Sequence, residues 1–307
     1  MYRKFCWWLP GLVLLASCAH VKVEERGIWL DKSDMFKPKD QVAKLFDDLQ
    51  AANFTTVYVN TQFKGGVAYP GSAFLPLAEQ AKSFEGDALA WCIEELHRRK
   101  MRAEAWVEYG FYSYHTLDAT KDKSQGAVLD MHPEWCALDE EGNRYIHHPK
   151  WGDFFTLCPS QPGPQDLLID LYREIATKYP FLDGINFDRI RYARKNHCFC
   201  AYCKEHFKRD TGLELKVYPD ASPEYARFVS WHEAILTAFV ARMAAALRAA
   251  RLGIVLTACV VPVEEKLEKG QEWFSWVKAG SVDAVIPMLY TDESFDKNLA
   301  EIQQNLP

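Results

Sequence analysis

Apolar residues recur at every second position in short β-branched runs and at three- and four-residue spacing in the longer runs between them, so strands and helices alternate from residue 27 onward. Residues 27–31 and 55–61 read as strands, separated by a helix over 40–52 that places Val42, Leu45, Phe46 and Leu49 on one face. A helix over 87–100 turns Leu89, Cys92, Ile93 and Leu96 inward and leads to a third strand over 102–108. A long polar and aromatic loop then runs to about Pro164, ahead of a helix carrying Leu168, Leu171, Tyr172 and Ile175. Residues 183–192, Asp-Gly-Ile-Asn-Phe-Asp-Arg-Ile-Arg-Tyr, form a fourth strand that buries Ile185 and Phe187 and delivers Asp188, Arg189, Arg191 and Tyr192 at its carboxyl end. The long helix over 223–251 opens Ser-Pro-Glu, with proline in the first turn, where a missing N–H is harmless. Strand 253–261, helix 272–279, strand 282–290 and helix 292–304 complete the series.

Strands alternating with helices predict an α/β fold with a parallel sheet and right-handed crossovers. The wide strand spacing and long loops predict a (β/α)8 TIM-barrel type. Six βα units are found, so the expectation is a barrel truncated after about six units, or one open on a side between its first and last strands.

The first twenty residues depart from this pattern. Arg3 and Lys4 precede an apolar stretch from Phe5 to Leu15, too short for a permanent span and flanked like a cleavable secretory peptide. Leu15-Ala16-Ser17-Cys18 is similar to the bacterial lipobox, which predicts a signal peptide over 1–17, lipidation of Cys18, and a short tether over 18–25 before a domain over 26–307. The expected location is the bacterial cell envelope, exported and lipid-anchored, on the periplasmic face of a membrane. Removing the leader leaves 34 basic against 42 acidic residues with no polybasic tract, which argues against nucleic acid and against an electrostatic grip on anionic lipid. No Gly-x-Gly-x-x-Gly, Walker loop or Gly-x-Ser-x-Gly elbow is present, so nucleotide cofactors and serine hydrolysis are unsupported.

Active sites of parallel α/β barrels are built at the carboxyl ends of the strands. Those ends collect Asp31; Asn60, Gln62 and Lys64; Trp106, Glu108 and Tyr109; Asp188, Arg191 and Tyr192; and Tyr290. Glu108 and Asp188 end neighbouring strands about 4.8 Å apart, so their carboxyls can lie within the separation of about 5 to 9 Å that glycoside hydrolysis uses. Walls of Trp106 and Tyr109 suggest that Glu108 is the desolvated proton donor, and Arg189 and Arg191 that Asp188 is its ionised partner. A structural Asp188–Arg191 ion pair is the plainer alternative. Tyr112, Tyr114, His115, Trp135, His147, His148 and Trp151 in the long loop offer flat faces suited to sugar rings, or a loop packed on itself.

His197-Cys198-Phe-Cys200-Ala-Tyr-Cys203 has the composition of a structural zinc site, although export equally favours disulfides. Cys92 and Cys259 sit in apolar contexts expected of core thiols.

Arg26-Gly-Ile-Trp-Leu30, Val57-Tyr-Val-Asn60 with Tyr69-Pro70, Ala105-Trp-Val-Glu-Tyr-Gly-Phe111, His132-Pro-Glu-Trp135 and residues 183–192, in that order, resemble the glycosyl hydrolase-like family 10 proteins. The resemblance implies a (β/α)8 glycosidase domain with no obligatory cofactor, often an envelope lipoprotein. It further implies a polysaccharide substrate, some members cleaving peptidoglycan strands stripped of their stem peptides. A non-catalytic carbohydrate-binding lipoprotein on a degenerate barrel is the competing expectation.

Overall fold

The computed structural model describes residues 25–306; the leader, Cys18 and most of the tether lie outside the described residues. Six parallel strands, β1 (Gly27–Leu30), β2 (Thr56–Phe63), β3 (Arg102–Val107), β4 (Gly184–Phe187), β5 (Val255–Val260) and β6 (Ala284–Pro287), lie in one sheet in chain order. Helices α1 (Lys39–Ala51), α2 (Ala88–Arg98), α3 (Pro162–Lys178), α4 (Ala201–Thr211), α5 (Pro223–Ala250), α6 (Trp273–Lys278) and α7 (Asp292–Asn305) connect or follow them.

One face of the sheet is apolar and meets the helices. Val57, Val59, Ala103, Ala105, Val107, Ile185, Phe187, Leu256 and Ala258 are buried there, with Phe187 stacked on Tyr172 of α3. Each large side chain of this set contributes about 1.5–3 kcal/mol by leaving water. The helices begin where the sequence provides caps: Asp87 accepts from the Ala90 amide at α2, and Ser222 from the Tyr225 amide at α5, with Pro223 next.

The other face is concave and polar. Arg102 donates to Glu104, Thr257 donates to Glu104 and accepts from Asn186, and Asn186 accepts from Cys259 and, at 3.4 Å, from the Trp29 indole. Trp29 lies on β1 and Asn186 on β4, so only a strongly curled sheet brings them together. Glu104 is fully buried in this network, and burial raises its carboxyl to about 7 despite the Thr257 hydroxyl and Arg102. Among the described residues β1 and β6 do not pair, so the sheet is an incomplete, curled barrel.

One expectation needs correction here. The segment between β3 and α3 is not irregular: Tyr112–Thr116, Gly152–Thr156 and Tyr145–His148 form a three-stranded antiparallel sheet at the rim. Its aromatics largely pack on each other, Tyr112 and His115 on Phe154 and Tyr145 on Phe155, which supports the self-packed alternative for that loop. Cys92 and Cys259 are both buried as expected, Cys92 in the helix-side core and Cys259 on the concave face, where it borders the cleft.

Candidate active site

β3 and β4 are in register at Val107 and Phe187, so the next residues, Glu108 and Asp188, stand side by side at the carboxyl rim. Strand alternation turns both toward the concave face, as Trp106 and Asn186 two residues earlier already show. Each is 8 % exposed. The turn after β3 requires Gly110: its φ is +47°, and a Cβ there would lie 2.3 Å from the Asp188 carbonyl oxygen.

Asp188 lines a cleft of about 410 Å³ with Trp29, Trp106, Cys259 and the segment from Ile286 to Tyr290. Its Oδ1 accepts from the Arg189 amide at 2.7 Å and its Oδ2 from the Trp106 indole at 3.2 Å. Burial nevertheless wins: the carboxyl is raised above the ordinary aspartate value, opposed by the charges of Arg189 and Arg191. Glu108 has a different environment. Its Oε2 accepts from Asn60 Nδ2 at 2.9 Å and faces Lys32 Nζ at 3.6 Å, while its Oε1 faces an Arg189 Nη at 3.3 Å.

The charges thus fall opposite to the sequence expectation of roles. Arg189 adopts a left-handed backbone (φ +52°) that throws its guanidinium off its own strand, over the rings of Tyr109 and Tyr112, and onto the carboxylate of the neighbouring strand. Glu108 therefore holds the cations and Asp188 the apolar wall. The alternative of an Asp188–Arg191 ion pair is not what forms: Arg191 acts on Asp188 only as a more distant charge and lines a second groove of about 240 Å³ with Tyr112, His147, His148 and Trp151.

The other rim residues divide. Trp106 and Tyr290 border the cleft, and Tyr290 is the most exposed ring there at 85 %. Asn60 is buried and orients Glu108. Asp31 caps the short helix Lys32–Met35, accepting from the Ser33 amide, and meets Lys32, so it positions that lysine. Gln62 is buried beside Glu108, its backbone oxygen accepting from the Glu108 amide. Tyr109 is buried beneath Arg189, its phenol pushed up to about 12 by desolvation. Of the residues expected at the site only Trp106, Asp188 and Tyr290 line this cleft, and three of the others pack elsewhere. Lys64 is exposed and lies over Tyr114. Trp135 stacks on His132 and fills the space above Gly163. Tyr192 is fully buried, bonded to Ser160 and stacked on His232 at 3.7 Å, because the chain has turned inward beyond the rim.

Sequence reasoning missed Trp29, Lys32 and the Ile286–Leu289 wall. Trp29 had a signal, since it alternates with the buried Leu30; Lys32 had none, because only the turn of the short helix brings it to Glu108.

The cysteine expectation is also revised. Among the described residues the sulfurs of Cys158, Cys198, Cys200 and Cys203 lie within 4.8 Å of one another and all four residues are buried. Cys158, immediately after the antiparallel insertion, takes the fourth place that the sequence suggested for His197.

Residues 24–306 match the family described as Glycosyl hydrolase-like 10. The glycosyl hydrolase DigH of Escherichia coli (strain K12) is 28 % identical over 155 residues, 48 % of this chain and 33 % of DigH. The glycosyl hydrolase YngK of Bacillus subtilis (strain 168) is 29 % identical over 163 residues, 51 % of this chain and 29 % of YngK. The chain therefore spans about a third of the length of these curated relatives. In fold it is similar to the PgaB (BpsB) glycoside hydrolase domain of Bordetella bronchiseptica, with TM-score 0.65 and 17 % identity over 92 % of this chain and 81 % of that one. The catalytic domain of a Paenibacillus polymyxa β-amylase gives TM-score 0.56 and 12 % identity over 85 % and 75 %. The match along nearly the whole described length places this chain in the glycosyl hydrolase-like 10 family.

Proposed function

We propose that this protein is an exported, lipid-anchored glycoside hydrolase that cleaves a polymeric β-linked glycan, peptide-free peptidoglycan strands being the substrate. The observation that carries the reading is the pair of adjacent rim carboxyls in unlike environments, one desolvated and one encircled by cations. Protonated Asp188 gives its proton to the glycosidic oxygen as the C–O bond breaks. Glu108, held by Lys32, Arg189 and Asn60, stabilises the positive charge developing on the sugar, and water supplies the hydroxyl that completes hydrolysis while its second proton restores Asp188. Trp29, Trp106 and Tyr290 offer ring faces to the sugars on either side.

The test is incubation of purified protein with peptide-free glycan strands. Release of new reducing ends is expected; retention of the strands without any release would leave a carbohydrate-binding lipoprotein in place of an enzyme.

The anchor belongs to the same proposal. No helix among the described residues is long and apolar enough to cross a membrane, and Cys18 lies outside them. In bacteria fed labelled palmitate, the wild-type chain is expected to carry label and sediment with membranes, and Cys18→Ser to lose both. An unlabelled wild-type chain contradicts the anchor.

A further inference from the structure

We propose that Cys158, Cys198, Cys200 and Cys203 hold one Zn²⁺, and that this ion fastens together the two loops that wall the groove beside Asp188. Cys158 Sγ lies 3.4 Å from Cys203 Sγ and 3.7 Å from Cys200 Sγ, and all four sulfurs fall within 4.8 Å of each other. Zn–S bonds of about 2.3 Å in tetrahedral geometry place sulfurs about 3.8 Å apart, so one ion at the centre fits the set. Four-sulfur tetrahedral sites select zinc or iron–sulfur chemistry over hard cations, and four sulfurs around a single point suit one zinc ion.

The surroundings point the same way. The Leu138 amide donates to Cys198 Sγ at 3.2 Å, the Cys200 amide to the same sulfur at 3.3 Å, and Gln161 Nε2 to Cys200 Sγ at 3.6 Å. Donors aimed at sulfur orient and stabilise thiolates, which accept and cannot donate. Cys200 caps α4 and Cys203 sits in its first turn, so the positive end of an eleven-residue helix faces the cluster. All four cysteines are buried, leaving no open coordination position, which makes the centre structural.

Its place in the chain gives it a task. Cys158 ends the insertion that contributes Tyr112, His147, His148 and Trp151 to the groove, and Cys198–Cys203 follow the segment that contributes Arg189, Arg191 and Ala193. These cysteines sit in a small hydrophobic cluster with Phe199, Phe207, Tyr218 and Phe228, separate from the main core. A cluster that small gains most from a cross-link.

Metal analysis of the full chain, purified without chelator from zinc-supplemented cells, tests this without reference to hydrolysis. One zinc per chain is expected, with cobalt-grown protein showing the thiolate-to-cobalt charge-transfer band of a tetrahedral four-sulfur site. Cys158→Ser should weaken zinc binding at least about tenfold in competition with a chromophoric chelator, since losing even a supporting partner of a ligand costs about 10–100-fold in affinity, and His197→Ala should leave zinc content and affinity unchanged. Should Cys158→Ser fail to fold, the wild-type stoichiometry, the cobalt spectrum and His197→Ala still decide. Wild-type protein with far less than one zinc, with iron in its place, or with these four cysteines recovered as disulfides by mass spectrometry overturns the assignment, as does loss of zinc in His197→Ala.

Discussion

Asp188→Asn is expected to abolish glycan cleavage while leaving the protein as stable as the wild type or more so. The amide keeps the shape of the carboxyl and still accepts from the Arg189 amide, giving up at most the longer contact with the Trp106 indole. It cannot donate a proton to a leaving group. Loss of a general acid lowers kcat by about 10²–10⁴-fold, so a residual rate within tenfold of wild type would remove Asp188 from the chemistry. Burial raises the Asp188 pKa in the folded state. The folded protein therefore binds this proton more tightly than the unfolded chain, and the stability the group contributes is present at low pH and lost as pH rises through the folded pKa. Asp188→Asn removes that loss. In acid the variant is expected to lie below wild type by at most about 1 kcal/mol, for the hydrogen bond forfeited, and to gain on it as pH rises. A variant that melts well below wild type at neutral pH would mean that the carboxylate is there to hold the structure.

Glu108→Gln is expected to fail in a different manner, losing both activity and stability. Asn60, Lys32 and Arg189 all present donors to this carboxylate. A glutamine accepts with one oxygen only, and its NH₂ meets donors. Arg189 suffers most, because its guanidinium is largely covered and already leaves one nitrogen without a partner. A charge-assisted hydrogen bond of this kind is worth about 1.5–3 kcal/mol, and the partial exposure of Lys32 and Arg189 places the expected cost toward the lower end of that range. Differential scanning calorimetry should show the drop, and Lys32→Ala, which removes the more exposed cation, a smaller one. A Glu108→Gln protein that melts with wild type would show that solvent already satisfies these cations and that Glu108 does not hold them.

Much of this arrangement is legible in the sequence because strand registers are. Period-two patterns place six strands, and neighbouring strands of a parallel sheet align their ends, so Glu108 and Asp188 fall together with no further information. Beyond the strand ends the chain loses its periodicity, and with it the means of reading side-chain direction from the sequence. Arg189 and Arg191 look equivalent in the sequence, yet a left-handed turn at 189 sends the first guanidinium to Glu108, while the second lines the neighbouring groove, so the cations gather on Glu108 and not on Asp188. Tyr192 reads as a rim phenol but turns under the rim to meet Ser160 and His232. The antiparallel insertion is obscured because its strands are short and carry aromatics on both faces, a pattern that also describes a loop. Cys158 stands alone in the sequence, far along the chain from the other three sulfurs, and only folding shows that it belongs with them.

Whether Asp188 acts as a general acid on glycan is decided by a time course of reducing ends released from peptide-free glycan strands by wild-type protein and by Asp188→Asn at matched concentration. Steady release by the wild type is expected, and release at least about 10²-fold slower by the variant. Equal rates from the two proteins, or no release from either while both bind the strands, would contradict that role.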